Sequence, residues 1–406
     1  MNKSHISLVG GFASTALGVE FMQVAVPVLA SAYLNLTTTQ TGMVLATRFL
    51  PVFLIGLFVG ALLDRVYLPL ILRLFNLLGF ASAVLFAVLM LCGHAGVGML
   101  MLLTFMIGTI KLVTDTASAA IVPLLVEKQH FLNLNSTLIS SQSVAKLLAP
   151  LMAGTALSWW GAGYSMLLQA GAFLLAVLLF SGLRVVRGTN VAAAVSTASL
   201  VGDVREGILL IFSNRNLRWL ILTACLWNFI AETIISYVLV YSTQVLSLSA
   251  VDVGGCVSAG GAAFLAGSLS SRYMLKFVSF KHAIIASMFA PVVAGGVLIS
   301  LNITGIYPVV MVCAVFVSMN YAASVHMISS LSERQIQTPS FALGRVQSAS
   351  RLMMSGVMPF ASIMGASLLH FKNDLFALVG ILLISFLLLG IVVVLSATTQ
   401  LQRSNN

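Results

Sequence analysis

Residues 56–65 read Gly56-Leu57-Phe58-Val59-Gly60-Ala61-Leu62-Leu63-Asp64-Arg65, an apolar run that stops abruptly at an acid and a base. At an offset of 207, Gly267-Ser268-Leu269-Ser270-Ser271-Arg272 stops a second apolar run. Glu127-Lys128-Gln129 and Glu333-Arg334-Gln335 match at an offset of 206, and Gln142-Ser143-Val144-Ala145-Lys146 and Gln347-Ser348-Ala349-Ser350-Arg351 at 205. Two lone acids, Glu20 and Glu232, stand 212 apart inside apolar runs. Any one match in so restricted an alphabet is weak. Four in the same order at nearly one offset mark two parallel copies of one structural unit.

The material of those units is set by composition. Of 406 residues 60% are apolar and 7% charged, too little polar surface to wet a soluble globule of this size. The apolar runs are long and continuous, so the backbone is expected to satisfy itself as helices crossing about 30 Å of hydrocarbon rather than as a barrel. Gly, Pro and charged clusters divide the chain into twelve spans near 6–33, 41–64, 69–91, 97–125, 134–158, 164–183, 218–241, 251–273, 282–301, 305–328, 343–369 and 375–397. Ala30-Ser31-Ala32 imitates a signal-peptidase site, but the long preceding run contains Glu20, which marks a retained first span.

The net charge of +10 takes its meaning from where the bases fall. With the N-terminus inside, fifteen bases are cytoplasmic: Lys3, Arg65, Arg73, Lys128, Arg184, Arg187, Arg205, Arg215, Arg218, Arg272, Lys276, Lys281, Arg334, Arg345 and Arg403. Only Lys372 falls outside, so both termini are expected in the cytoplasm and no nucleic-acid partner is needed to explain the basicity. Trp159 and Trp160 fall at the outer interface of span 5. The expected organisation is a six-span half over 1–186, a linker over 187–217 and a second six-span half over 218–406. Within the linker Leu200, Val204, Ile208, Ile211 and Phe212 recur at helical spacing, which predicts an amphipathic helix on the membrane face or against a partner.

Two six-helix halves related by an axis along the membrane normal are an architecture of secondary transporters. The chain resembles the major facilitator superfamily over its full length, and within it bacterial exporters of the enterobactin and macrolide type. The segment Gly60 to Arg65 resembles the family signature after span 2, Asp203-Val204-Arg205-Glu206-Gly207 the exporters' central loop, and Leu343-Gly344-Arg345-Val346 the opening of span 11. The signature usually continues with further bases, whereas this chain reads Val66-Tyr67-Leu68-Pro69. The Gly-Pro pair common in antiporter span 5 is here Ala149-Pro150. The resemblance implies a bacterial inner-membrane protein, working as a monomer, that moves a small amphiphilic molecule against protons. It also implies that Asp64 and Arg65 hold a gate at the cytoplasmic mouth, with Arg345 beside them.

Glu20, Arg48, Lys111, Asp115, Lys146, Glu232 and Arg351 fall within spans. At roughly 2.5–3.5 kcal/mol for a charge at a helix centre, all seven facing lipid would cost on the order of 20 kcal/mol, so they must face the bundle interior or one another. Lys111 and Asp115, four apart, can pair along one face or serve gating and coupling. Arg48, near the end of span 2, is expected to snorkel to the interface. Glu20 and Glu232 have no base three or four positions away, so they are the first candidates for proton coupling, with Asp115; the alternative is a static pair with Lys146 or Arg351. Lys146 and Arg351, equivalent in the repeat, would converge on an anionic substrate. Trp227, Asn228, Tyr237, Tyr321, Asn320 and Gln169 are candidates to line the substrate site, against ordinary packing.

Other chemistries find no support in the sequence. Cys92, Cys225, Cys256 and Cys313 are single and predict neither disulfide nor zinc. The six histidines are scattered without metal-ligand spacing, and no Walker sequence is present, so no cofactor is expected. A polytopic lipid enzyme and a channel are the minor alternatives. Direction is open, since uptake by symport uses the same architecture.

Overall fold

A computed structural model describes residues 3–125, 131–183, 197–304, 307–338 and 343–370, and among these residues every regular element is helical. In chain order they are α1 (Lys3–Val28), α2 (Thr38–Thr47), α3 (Leu50–Arg65), α4 (Leu68–Leu91), α5 (Val97–Leu125) and α6 (Phe131–Ser181). After these come α7 (Thr197–Ser213), α8 (Arg215–Val240), α9 (Ala250–Met274), α10 (Phe280–Ser287) and α11 (Phe289–Thr304). The series ends with α12 (Pro308–Gln337), α13 (Leu343–Gly356) and α14 (Met358–Ser367).

Eight stretches among these are long and apolar enough to cross a membrane. One of them, Thr137–Ser181, folds back at Gly161, whose φ of 74° only glycine adopts cheaply, and so crosses twice. Trp159 and Trp160 stand exposed beside that turn. Two further spans, α2–α3 and α13–α14, are each broken into short helices, bringing the total among the described residues to eleven. The expected span at 375–397 lies outside them, as do Lys128, Arg184, Arg187, Lys372 and Arg403.

The continuous spans expected at 41–64, 282–301 and 343–369 are in fact interrupted, at Arg48–Phe49, at Met288 and at Val357. Pro51, Pro291 and Pro359 each stand within three residues after the break. Proline fits a first turn, where its missing N–H has no partner to lose.

The internal repeat extends to backbone detail. α1 runs into a π turn at Leu29–Tyr33 and α8 into one at Tyr241–Val245, both at the offset of 212 that relates Glu20 to Glu232. Asn35 and Ser247 then take positive φ, and Thr37 with Gln40 and Ser249 with Asp252 close capping boxes that start α2 and α9. The two copies interlock. Gln244 Nε2 in the second donates to Leu36 O at 3.1 Å and Thr41 Oγ1 at 3.2 Å in the first.

At this end of the bundle α6 and α9 run antiparallel in backbone contact. A Cβ on Gly154 would collide with Ala250 O, and one on Gly261 with Lys146 O. α7, at the opposite end, packs Ile208 and Ile211 against Val346 and Ala349 of α13, while Leu209 and Phe212 stay exposed.

Candidate functional site

All seven charges placed within spans line one central cavity of about 400 Å³. Its walls come from α1, the α2–α3 break, α5, α6, α8, α9, α12 and the α13–α14 span, with Gln23, Thr104 and Asn320 adding polar surface. The inward placement that desolvation demands is therefore met by every one of them.

Glu232 is the most deeply held. Its Oε1 receives Arg48 Nη2 at 2.6 Å, Ser362 Oγ at 2.8 Å and Ser236 Oγ at 2.9 Å, and its side chain is 7% exposed. No hydrogen bond to Oε2 is found among the described residues. Arg48 does not snorkel, as its position near the end of span 2 suggested. The helix breaks at Arg48–Phe49, and the guanidinium turns inward to lie 4.5 Å from the Phe49 ring, its buried Nε unpartnered. Arg48 is thus a site residue that sequence reasoning missed; the available signal was Pro51, three positions on, which fits the first turn of a helix that starts anew at Leu50. The ion pair joins the two halves, and Glu232 finds neither Lys146 nor Arg351.

A looser network fills the side toward α7. Lys111 Nζ stands 3.9 Å from Glu20 Oε1 and 3.7 Å from Asp115 Oδ2, so the pairing along α5 is present and is shared with α1. Arg351 Nη2 lies 3.8 Å from Asp115 Oδ2, and its Nη1 donates to Thr116 Oγ1 at 3.3 Å, a second link between halves. Exposure rises from 7% at Glu232 to 30% at Asp115 and 37% at Arg351. The interlocked turns lie at the end away from α7.

Lys146 differs from the other three bases. Its Nζ sits over the Phe264 ring, 4.0 Å from the centroid, a cation–π contact across the halves, and no carboxylate among the described residues is within ion-pair distance. Four bases face three acids here.

Five of the six proposed lining residues lie elsewhere. Trp227 stacks on His326, centroids 4.9 Å apart, inside the second half. Tyr237, wholly buried, stacks on Tyr241 at 5.5 Å. Five positions from Glu232, each is turned about 140° away from the cavity face. Asn228 shares that face but donates to Met354 O at 3.0 Å, tying α8 to α13. Tyr321 bonds Ser270 at 2.9 Å on the outside of α12, while its neighbour Asn320 does line the cavity. Gln169 is buried against Gly18 O.

Of the gating candidates, Lys111 belongs to the cavity network. Arg345 pairs with Glu206 at 2.7 Å, linking α13 to α7. Asp64 and Arg65 end α3, and their side chains lie outside what is described. A second cavity, of about 460 Å³, lies between α8, α10 and the end of α12, away from these charges. Among the described residues no cluster of three metal-binding side chains occurs.

The profile of the Major Facilitator Superfamily matches residues 8–362. No curated protein matches the sequence. Among solved structures, the nucleoside transporter NupG is similar at 11% identity, with 97% of this chain and 99% of that one covered and a TM-score of 0.75. A bacterial homologue of the iron transporter ferroportin, in an inward-facing state, is similar at 15% identity, with 98% and 99% covered and a TM-score of 0.75. A bacterial homologue of the lysosomal transporter Spinster, inward-facing and unoccupied, gives 14%, 97%, 95% and 0.68. At such identities the likeness is one of fold.

Proposed function

The chain belongs to the Major Facilitator Superfamily, and from that premise we propose that it is a proton-coupled exporter of a small amphiphilic molecule carrying an anionic group. It is a multi-pass membrane transporter and not an enzyme. In our reading it sits in a bacterial inner membrane as a monomer with its termini in the cytoplasm, and the α7 end of the bundle faces the cytoplasm.

The observation that carries the proposal is the charge arrangement of the cavity. Glu20, Asp115 and Glu232 each already face a base, whereas Lys146 rests on an aromatic ring with no acid of its own among the described residues. A cargo carboxylate, phosphate or catecholate would supply the missing anion at Lys146, with Arg351 as second contact. The apolar walls, Val26, Leu45, Val52, Ile107 and Val257, suit the rest of an amphiphile. Siderophores and modified peptide antibiotics have this chemistry.

Coupling follows from where the ion pairs lie. Arg48–Glu232 and Arg351–Asp115 both join one half to the other, so protonating a carboxylate removes the attraction that holds the halves at that level. Glu232 Oε2 is the atom for an incoming proton, because Oε1 already takes three donors. Glu20 and Asp115 share Lys111, so neutralising either carboxylate leaves the ammonium to the other. A proton entering from outside would release Arg48, open the interlocked end and let cargo leave; its departure to the cytoplasm would reset the pair.

The test is transport by purified protein in liposomes under an imposed pH gradient, using siderophores and antibiotics as cargo. Outward movement that collapses with an uncoupler, and whose gradient dependence is lost in Glu232→Gln while exchange survives, is the expected result. Gradient-driven movement that runs with protons in the same direction would establish uptake instead.

A further inference from the structure

The cysteines are the reactive side chains that the transport chemistry leaves unused. Cys92 is exposed beyond the end of α4 and Cys225 is half-buried on α8. Cys256 and Cys313, which their isolation in the sequence marked as unrelated thiols, are brought together. Cys256 is on the second turn of α9 and buried, and Cys313 is on the second turn of α12 and partly open. The Sγ atoms are 2.7 Å apart, and Cys256 Sγ also donates to Val309 O at 3.4 Å. Both helices start at the interlocked end of the bundle.

We infer that Cys256 and Cys313 are a redox-active pair, a modification site that closes to a disulfide when a disulfide oxidant reaches it. The Cys313 thiolate, the more open of the two, attacks one sulfur of the oxidant and releases its first thiolate. The Cys256 thiolate then attacks Cys313 Sγ in the mixed disulfide and expels the second. Two protons and two electrons leave the protein, and the oxidant departs as two thiols. Neither helix need travel, because the sulfurs already touch. The bond would fasten α12 to α9, the helix whose backbone bears on α6 of the other half at Gly154 and Gly261. It acts within the second half and leaves the boundary between halves uncrossed.

The test uses full-length Cys92→Ser/Cys225→Ser protein in detergent, treated with an apolar aromatic disulfide such as dithiodipyridine and then mass-measured intact. The expected product has lost the mass of two hydrogen atoms, gains no maleimide after denaturation, and regains two sites on reduction. Adding Cys256→Ser should leave Cys313 holding one stable pyridylthio group. In unmodified protein, a digested peptide pair joined through residues 256 and 313 gives the same reading without any variant. Two pyridylthio groups retained, or two thiols still labelled after treatment, would overturn the inference.

Discussion

Glu232 concentrates three donors on one carboxylate oxygen in a nearly dry place, and this makes Arg48 the residue with most to lose. Removing one partner of a buried pair costs about 3–5 kcal/mol, because the surviving charge stays buried. Arg48→Ala should therefore lower the thermal midpoint of the detergent-purified protein markedly, and adding Glu232→Gln should recover most of the loss. Equal damage in the single and double variants would mean that the two groups are not coupled. Lys146 has no such dependent, so Lys146→Met should fold as the parent does. It should weaken an anionic cargo at least tenfold, about 1.4 kcal/mol, while Lys146→Arg retains it. Calorimetric titration of a catecholate or carboxylate cargo checks this, and unchanged affinity in Lys146→Met removes Lys146 from the binding site. The charges were legible in the sequence because hydrocarbon penalises each one and forces it inward. Trp227 and Tyr237 were not, since an aromatic ring is equally at home in a helix interface and in a cavity wall.

Among elements, α6 and α9 form the joint on which the halves meet, with Gly154 lying against Ala250. Gly154→Val forces side-chain atoms where backbone stands, a clash of the kind that typically costs 1–3 kcal/mol when neighbours can shift. The cheapest relief is separation of the interlocked end, so a thiol placed at Thr41 should become more reactive to a membrane-impermeant maleimide added outside. Unaltered labelling would show that the joint relaxes in some other way. Span positions were readable from hydropathy to within a few residues. The breaks at Arg48–Phe49, Met288 and Val357 were announced by Pro51, Pro291 and Pro359, but proline alone does not say whether a span bends or breaks. The paired π turns, with Asn35 and Ser247 and the two capping boxes, follow an exact repeat in position while differing in residue type, so identity matching passed over them.

At the scale of the whole molecule, two copies of one unit meet at the interlocked turns and along α6 and α9. Leu36→Cys with Gln244→Cys, across the interlocked turns, should cross-link on mild oxidation and stop transport, and reduction should restore it. Transport that continues through the cross-link would mean that this end need not open. The offsets near 207 made the two copies visible in the sequence, because repeats of one fold conserve the places where charge and turns must fall. Which end interlocks was not visible there, since the same contacts serve both states and the balance between them amounts to a few kcal/mol. Lys146 adds a mechanical consequence: its carbonyl is what α9 rests on at Gly261, and its ammonium leans on Phe264 one turn along the same helix. On the proposed function, a grip on cargo at Lys146 would be mounted at the fulcrum, where the lever arm is shortest, and the cargo would stay nearly still while the membrane's two faces took turns reaching it.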